Sequence, residues 1–486
     1  MYLGYKYVIS DQFSIMSQLG LYVLLLVIDN LLHGTTATFL SKLYPRIKQI
    51  PFEVGDDPGV PLFLTPLIEA GKIDDAKMAA EVYFSGFLNK RSFAGYFTVD
   101  KTFNSNLFFW YFPCETDDKN APLLLWLQGG PGASSLLGLF IENGPFSVRF
   151  EHGLNERNYS WTKTHSVIYI DNPVGSGYSF TEGGYAQNQT KVGEDIYSAL
   201  QQFFTVFTEV QPNDFYITGE SYAGKYIPAV AYTIYKNNPN AKLKINLKGL
   251  AIGNGFCDPI NQLEYGEYLY QLGLYDDITR DQVKTLEQQG IKLIQNKQYE
   301  EAARFFDTLM DGDFSNTTLF KNATGFNNYF NYLYPIDPLE SGRNLTGTYI
   351  QRDDVRAAIH VGNAIFHDDD NVEKNLLPDL MQSVAPWISE LLNNYRILFY
   401  NGQLDIIVAY PLTLNFLNNL DFNAAKEYQT ASRYQWTVDQ EIAGYVKQAG
   451  NLTEILVRAA GHMVPADQPQ WAFDMITRFT RNKPFH

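Results

Sequence analysis

Three side chains far apart in this chain, Ser221, Asp405 and His462, have the types and local settings that nucleophilic catalysis requires. A serine hydroxyl attacks a carbonyl only when a base takes its proton; histidine is the usual base, held in the right tautomer by a carboxylate. Ser221 stands in Gly219-Glu220-Ser221-Tyr222-Ala223-Gly224, directly after the apolar run Asp214-Phe215-Tyr216-Ile217-Thr218. The stretch after it, Lys225 to Asn237, predicts a helix. A sharp strand-to-helix turn needs small residues two positions to each side of the serine, and it lifts the hydroxyl clear of the backbone. Ala223 takes one of those places, and the same steric argument tolerates its single methyl. Of the seven histidines, His462 fits the base best, in Ala460-Gly461-His462-Met463-Val464-Pro465 just past the strand-like Glu454-Ile455-Leu456-Val457-Arg458. Asp405 is the carboxylate candidate, in Asn401-Gly402-Gln403-Leu404-Asp405 after the strand Arg396-Ile397-Leu398-Phe399-Tyr400.

Acyl transfer also needs donors aimed at the oxyanion of the transition state. The glycine turn Gln128-Gly129-Gly130-Pro131-Gly132, after the strand Ala121 to Leu127, offers backbone amides, and the amide of Tyr222 is the second donor. A phosphate-binding reading of that turn fails: no Lys-Ser/Thr follows it, and no acidic ribose-binding position stands at the expected distance. The order Ser, Asp, His, each after a strand, is that of the α/β-hydrolases.

The elements that must position these residues are legible as apolar runs. Phe93–Val99 and Asn106–Pro113, rich in aromatic residues around a short loop, predict an antiparallel hairpin. Strands follow at Leu123–Leu127, Val167–Ile170, Phe215–Thr218, Leu247–Ile252, Arg396–Tyr400 and Ile455–Val457. Helical stretches between several of them imply a mostly parallel sheet covered on both faces. Val192, Ile196, Leu200, Phe203 and Phe207 recur at helical spacing and predict a core-facing stripe. Between about Phe256 and Asp353 the strand pattern lapses. Lys42 to Asn89, with many prolines and few strand signals, predicts a peripheral or propeptide-like arm.

At this point the chain resembles the serine carboxypeptidases, α/β-hydrolase peptidases that trim residues from peptide C-termini. The matching stretches are Trp126-Leu127-Gln128-Gly129-Gly130-Pro131-Gly132-Ala133-Ser134-Ser135, Asp171-Asn172-Pro173-Val174-Gly175-Ser176-Gly177, the Ser221 turn and Gly461-His462-Met463-Val464-Pro465. Gln128 in the glycine turn and the residues around Asp405 look most like the vitellogenic carboxypeptidase-like subgroup. The resemblance, from about Phe93 onward, implies Ser221 as nucleophile, Asp405 as orienting carboxylate, His462 as general base and acid, and Gly130 and Tyr222 as oxyanion-hole amides. It also implies a site for the substrate's free carboxylate at Glu142 and Glu220 with Trp126, Gln128 and Gly129. Two close carboxyls cannot both ionise cheaply, so at least one stays protonated and can donate to an anion. Peptide cleavage is therefore expected to be favoured at acidic pH. Gln128 stands where most of the family has Asn, so exopeptidase activity is less firmly implied than hydrolase chemistry; the other departure is Ala133, where many members carry Cys. The resemblance further implies a helical cap over 256–353, between core parts at 93–255 and 354–486; the segment before the core, 35–92, reads from its composition as the N-terminal arm. The resemblance implies no cofactor.

Composition bounds the rest. With 486 residues, 45% of them hydrophobic, the chain can bury a large core. A net charge of −16 without basic clusters argues against nucleic-acid partners. Leu19 to Ile28 is too short an apolar run to span a bilayer and suits a signal-peptide core within 1–34, cleaved between Asn30 and Ala37. A start at Met16 gives a more ordinary leader. That leader and the acceptors Asn158, Asn188, Asn316, Asn322, Asn344 and Asn451 imply a secreted or lysosomal glycoprotein without a stable membrane anchor. Peptide or protein C-termini are the expected partners, with a homodimer possible. Cys114 and Cys257 pair only if the fold brings them together. Asp368-Asp369-Asp370 beside His367 reads as an exposed acidic loop, since no complete ligand set for a metal is visible. Two other functions stay open: acyl transfer with the same three residues, and a binding or stabilising protein that keeps the fold. Retention of all three residues argues against the second.

Overall fold

The computed structural model describes residues 57–149, 153–312, 314–315, 317–368 and 370–485. The expected leader, Asn316 and Asp369 lie outside them. Ten strands form one sheet: β1 (Phe93–Asp100), β2 (Ser105–Phe112), β3 (Leu123–Leu127), β6 (Ser166–Ile170), β7 (Phe215–Glu220), β8 (Leu247–Gly253), β9 (Arg396–Gly402), β10 (Arg433–Val438), β11 (Glu441–Ala449) and β12 (Leu452–Val457). β4 (Phe146–Val148) and β5 (Leu154–Glu156) make a separate small ribbon. The spatial order is β1-β2-β6-β3-β7-β8-β9-β12-β11-β10, and the central run from β6 to β12 is parallel, with antiparallel pairs at both edges.

The apolar runs become strands because parallel strands are buried on both faces. β3, Leu-Leu-Leu-Trp-Leu, is buried throughout, as is β7. Successive side chains of β7 point to opposite faces. Phe215 meets Phe204 of the helix Gln189–Val206, while Tyr216 meets Phe479 of the helix Pro469–Thr480, so these helices cover opposite faces. Val192, Ile196, Leu200 and Phe203 form the buried stripe of the first helix. Phe207 lies just past the end of that helix and packs edge-on against Phe93.

Two features differ from the sequence reading. The stretch 57–92 is less peripheral than its composition suggests: Leu64, Ala76, Ala80 and Phe87 are core residues, and Leu64 and Tyr96 join their backbones. The hairpin β10–β11 is unanticipated because its turn, Asp439-Gln440, carries positive φ at both positions (49° and 69°) without a glycine.

Between β8 and β9 the described elements are helices joined by loops, among them Tyr265–Gln271, Asp277–Gln295, Tyr299–Phe306, Leu319–Thr324, Glu340–Ile350, Asp353–Ala358, Asp370–Leu376 and Ala385–Leu392. Among the described residues no helix is long and apolar enough to cross a membrane. The two cysteines do not meet. Cys114 Sγ lies 3.2 Å from Thr116 Oγ1, and Cys257 Sγ donates to Gly224 O.

Candidate active site

Ser221, Asp405 and His462 come together at the carboxyl edge of the sheet, where ligands of open α/β sheets bind. Ser221 follows β7, Asp405 follows β9 and His462 follows β12. Ser221 has φ of 62°, a strained conformation for a side chain with a Cβ. Its backbone is held on both sides: Ser221 N donates to Gly253 O, and Gly224 N and Phe256 N donate to Ser221 O. The turn has no room for larger neighbours. A Cβ on Gly219 would lie 2.1 Å from Leu127 O, and one on Gly224 would lie 2.9 Å from Cys257 Sγ. Ala223, fully buried, is accommodated.

The helix Ala223–Asn237 that leaves this turn contains Pro228, which has no N–H for Gly224 O. Cys257 supplies a donor instead, its Sγ 3.1 Å from that oxygen. Burial pushes the Cys257 thiol well up, so it stays protonated and able to donate.

His462 Nδ1 lies 2.9 Å from Asp405 Oδ2, and both side chains are fully buried. Asn254 Nδ2 donates to the same oxygen at 2.6 Å, and the amide of Ile407 donates to Asp405 Oδ1 at 3.1 Å. This carboxylate is therefore fixed on both oxygens, which selects the tautomer that leaves Nε2 free to accept a proton. His462 Nε2 is buried and makes no hydrogen bond. Contacts of this kind are often long in a free enzyme and tighten when substrate is bound. Asn254 is a site residue that the sequence reading missed. Its signal was the strand end Gly253-Asn254-Gly255, next in the sheet to the end of β7.

The glycine turn lies directly against Ser221. A Cβ on Gly129 would stand 2.7 Å from both Ser221 Cβ and Tyr222 N. Gly130 follows with φ of 113°, and Tyr226 of the next helix accepts from Gly132 N at 3.2 Å. Asp171 also braces this turn: it accepts from Ser134 Oγ at 2.6 Å, Ser135 N at 2.9 Å and Tyr178 N at 2.8 Å. Burial pushes its carboxyl up to about 6 despite those donors.

Glu142, Gln128 and Glu220 form one buried group. Gln128 Nε2 donates to Glu220 Oε1 at 2.8 Å and to Glu142 Oε1 at 3.2 Å, while Trp126 Nε1 donates to Gln128 Oε1 at 2.9 Å. Glu142 sits on a π-helical segment, Gly138–Asn143, a form often found at functional sites. Burial pushes the Glu142 carboxyl up to about 7. Burial, and then ionised Glu142, pushes Glu220 well above the ordinary range. The remaining oxygens, Glu142 Oε2 and Glu220 Oε2, are buried acceptors without a donor. A proton held on either carboxyl would supply one, in keeping with the upward push on both groups.

Lys225, completely buried in the helix after Ser221, was read in the sequence only as a helix residue. Its Nζ donates to three backbone oxygens, Asp379 O, Leu380 O and Gln382 O, at 2.6 to 2.8 Å. Burial pushes it down to about 8. Asp379 in turn accepts from Gln189 Nε2 and from the Tyr222 hydroxyl.

Asn158, Asn188, Asn322 and Asn344 are exposed. Asn188 caps a helix by accepting from Lys191 N, and half-buried Asn451 commits its Nδ2 to Leu392 O. His367 donates its backbone N–H to Gly177 O; among the described residues no three His, Cys, Asp or Glu side chains gather as a metal site.

Residues 83–482 match the family model described as serine carboxypeptidase. The venom serine carboxypeptidase of Apis mellifera is 55% identical over 92% of this chain and 96% of its own length. The vitellogenic carboxypeptidase of Aedes aegypti is 48% identical over 87% of this chain and 90% of its own. The fold is similar to that of Kex1, a prohormone-processing carboxypeptidase from Saccharomyces cerevisiae, with a TM-score of 0.71 at 23% identity over 84% of this chain and 96% of that one. With its α/β-hydrolase sheet and a family match over most of its length, this chain belongs to the serine carboxypeptidase family.

Proposed function

We propose that the protein releases C-terminal residues from peptides through an acyl-enzyme, and does so best at acidic pH. Ser221 Oγ attacks the last peptide carbonyl while His462 Nε2 takes its proton. The amides of Gly130 and Tyr222 stabilise the oxyanion, and His462 returns the proton to the departing amine. Water then repeats the sequence on the ester. Asp405 keeps the ring oriented and balances the imidazolium.

The observation that carries the reading is the buried group of Gln128, Glu142 and Glu220 beside the nucleophile. Carboxyls held protonated can donate to a substrate carboxylate, whereas ionised ones repel it. The longer Gln128 side chain still reaches both glutamates, which supports exopeptidase activity despite the extra methylene. On this reading the helical insertion over 256–353 covers the cleft. The chain passes through the secretory pathway and carries glycans on the exposed asparagines 158, 188, 322 and 344.

The test is amino-acid release from N-blocked dipeptides between acidic and neutral pH, with the matching C-terminal amides and Ser221→Ala as controls. Release at acidic pH with the amides resistant is expected. Ester hydrolysis without peptide release would overturn the carboxylate-binding role and point to acyl transfer.

A further inference from the structure

The insertion between β8 and β9 does more than cover a cleft, because its polar contacts converge on two short turns. On the helix Tyr265–Gln271, Tyr265 and Tyr268 share one face at a spacing of three residues. The Tyr268 hydroxyl donates to Asp405 O at 2.7 Å, and the Tyr265 hydroxyl donates to Ile407 O at 2.7 Å. Further along the insertion, Tyr329 O accepts from Ile406 N and Ile407 N, and Tyr332 N donates to Leu404 O. Between them Phe330 O accepts from His462 N at 2.7 Å, and the Phe330 ring lies 5.3 Å from the imidazole. Asn331 Nδ2 and Gly461 N both donate to Asp467 Oδ2, tying the same segment to the residue before the histidine.

These contacts reach the turns that carry both Asp405 and His462. The two turns also touch each other: Leu404 N donates to Ala460 O, and a Cβ on Gly402 would lie 1.8 Å from Gly461 O. A base must be held to a fraction of an ångström relative to its nucleophile, and a misplacement of 1 Å costs about 100-fold in rate. We propose that Tyr268, Tyr265 and the segment Tyr329–Tyr332 are positioning residues that set the register of Asp405 and His462 against Ser221. None of them is asked to touch substrate. The inference rests on the assignment of Ser221, Asp405 and His462 as the catalytic set.

The experiment compares two Tyr→Phe substitutions that each remove a hydroxyl bonded to a backbone carbonyl. Tyr268→Phe frees Asp405 O. Tyr216→Phe frees Thr480 O at the opposite end of the sheet, where the hydroxyl also accepts from Arg396. The readouts are the rate at which a fluorophosphonate labels Ser221, kcat and KM on a blocked ester, and the melting temperature. Tyr268→Phe is expected to slow labelling and lower kcat about fivefold with KM within about twofold. Tyr216→Phe is expected to leave both rates within about twofold at an equal or larger loss of melting temperature. Equal rates for Tyr268→Phe and wild type would overturn the proposal. So would the same fractional loss in both variants, which is what mere stability would give. Should Tyr268→Phe not fold, Tyr265→Phe decides on the same criteria. A wild-type protein that resists labelling would instead remove the catalytic assignment itself.

Discussion

The Ser221 side of the proposed site and its Asp405–His462 side are held by different means. Around Ser221 the turns after β3 and β7 meet where side chains are absent: Gly129 lies against Ser221 and Gly219 against Leu127 O. Around Asp405 and His462 the turns are tied mainly by hydrogen bonds, several from tyrosines and backbone groups of the insertion. Close backbone contact leaves a mark in the sequence, because only glycine fits. A carbonyl that accepts a hydrogen bond leaves none, since every residue has one.

Removing the proposed nucleophile should have the largest effect. Ser221→Ala is expected to lower kcat about 10⁶-fold, leaving oxyanion and binding effects, and a loss of only a few-fold would refute the triad. Glycine substitutions then separate the two sides. Gly129→Ala places a Cβ 2.8 Å from Glu220 O as well as against Ser221, so it should lower kcat about 100-fold and also raise KM for peptides. Gly402→Ala pushes on the backbone of Ala460 and Gly461, next to His462, so it should lower kcat for peptides and blocked esters alike without that rise in KM. Indistinguishable KM values in the two variants would erase the contrast.

A smaller effect concerns pH. Glu142 is raised to about 7 by burial, so peptide KM should climb as pH rises through about 7 and the carboxyl ionises. The same shift acts on stability. A folded-state pKa above the unfolded one means stabilisation present at low pH and lost progressively between about 4.5 and 7. In Glu142→Gln the group stays neutral, so the peptide KM profile should flatten, while blocked esters keep theirs. Identical flattening for esters would remove the carboxylate-binding role.

The same contrast explains what could be read from the chain. The strands of the parallel centre were legible because they are unbroken apolar runs, as in Leu123–Leu127. The turn residues Gly129, Ser221, Asp405 and His462 were legible through small or special neighbours at strand ends. The β10–β11 hairpin was hidden by a turn with two non-glycine residues at positive φ and by strands with one solvated face, as the alternating exposure along Arg433–Val438 shows. Asn254 had a local signal that was passed over. Tyr268 and Phe330 had none, because their parts depend on which carbonyl or amide the distant chain brings to them.

The thiol of Cys257 has a consequence for how this sequence can change. It completes a helix whose own donor is missing at Pro228, so positions 228 and 257 depend on each other although they share no motif. Cys257→Ala in the presence of Pro228 should cost about 1 kcal/mol of stability, seen as a lower denaturant midpoint. Pro228→Ala restores the amide, and with it the same cysteine substitution should cost less. The two positions would then be expected to drift together through descent, as an epistatic pair written by one absent hydrogen.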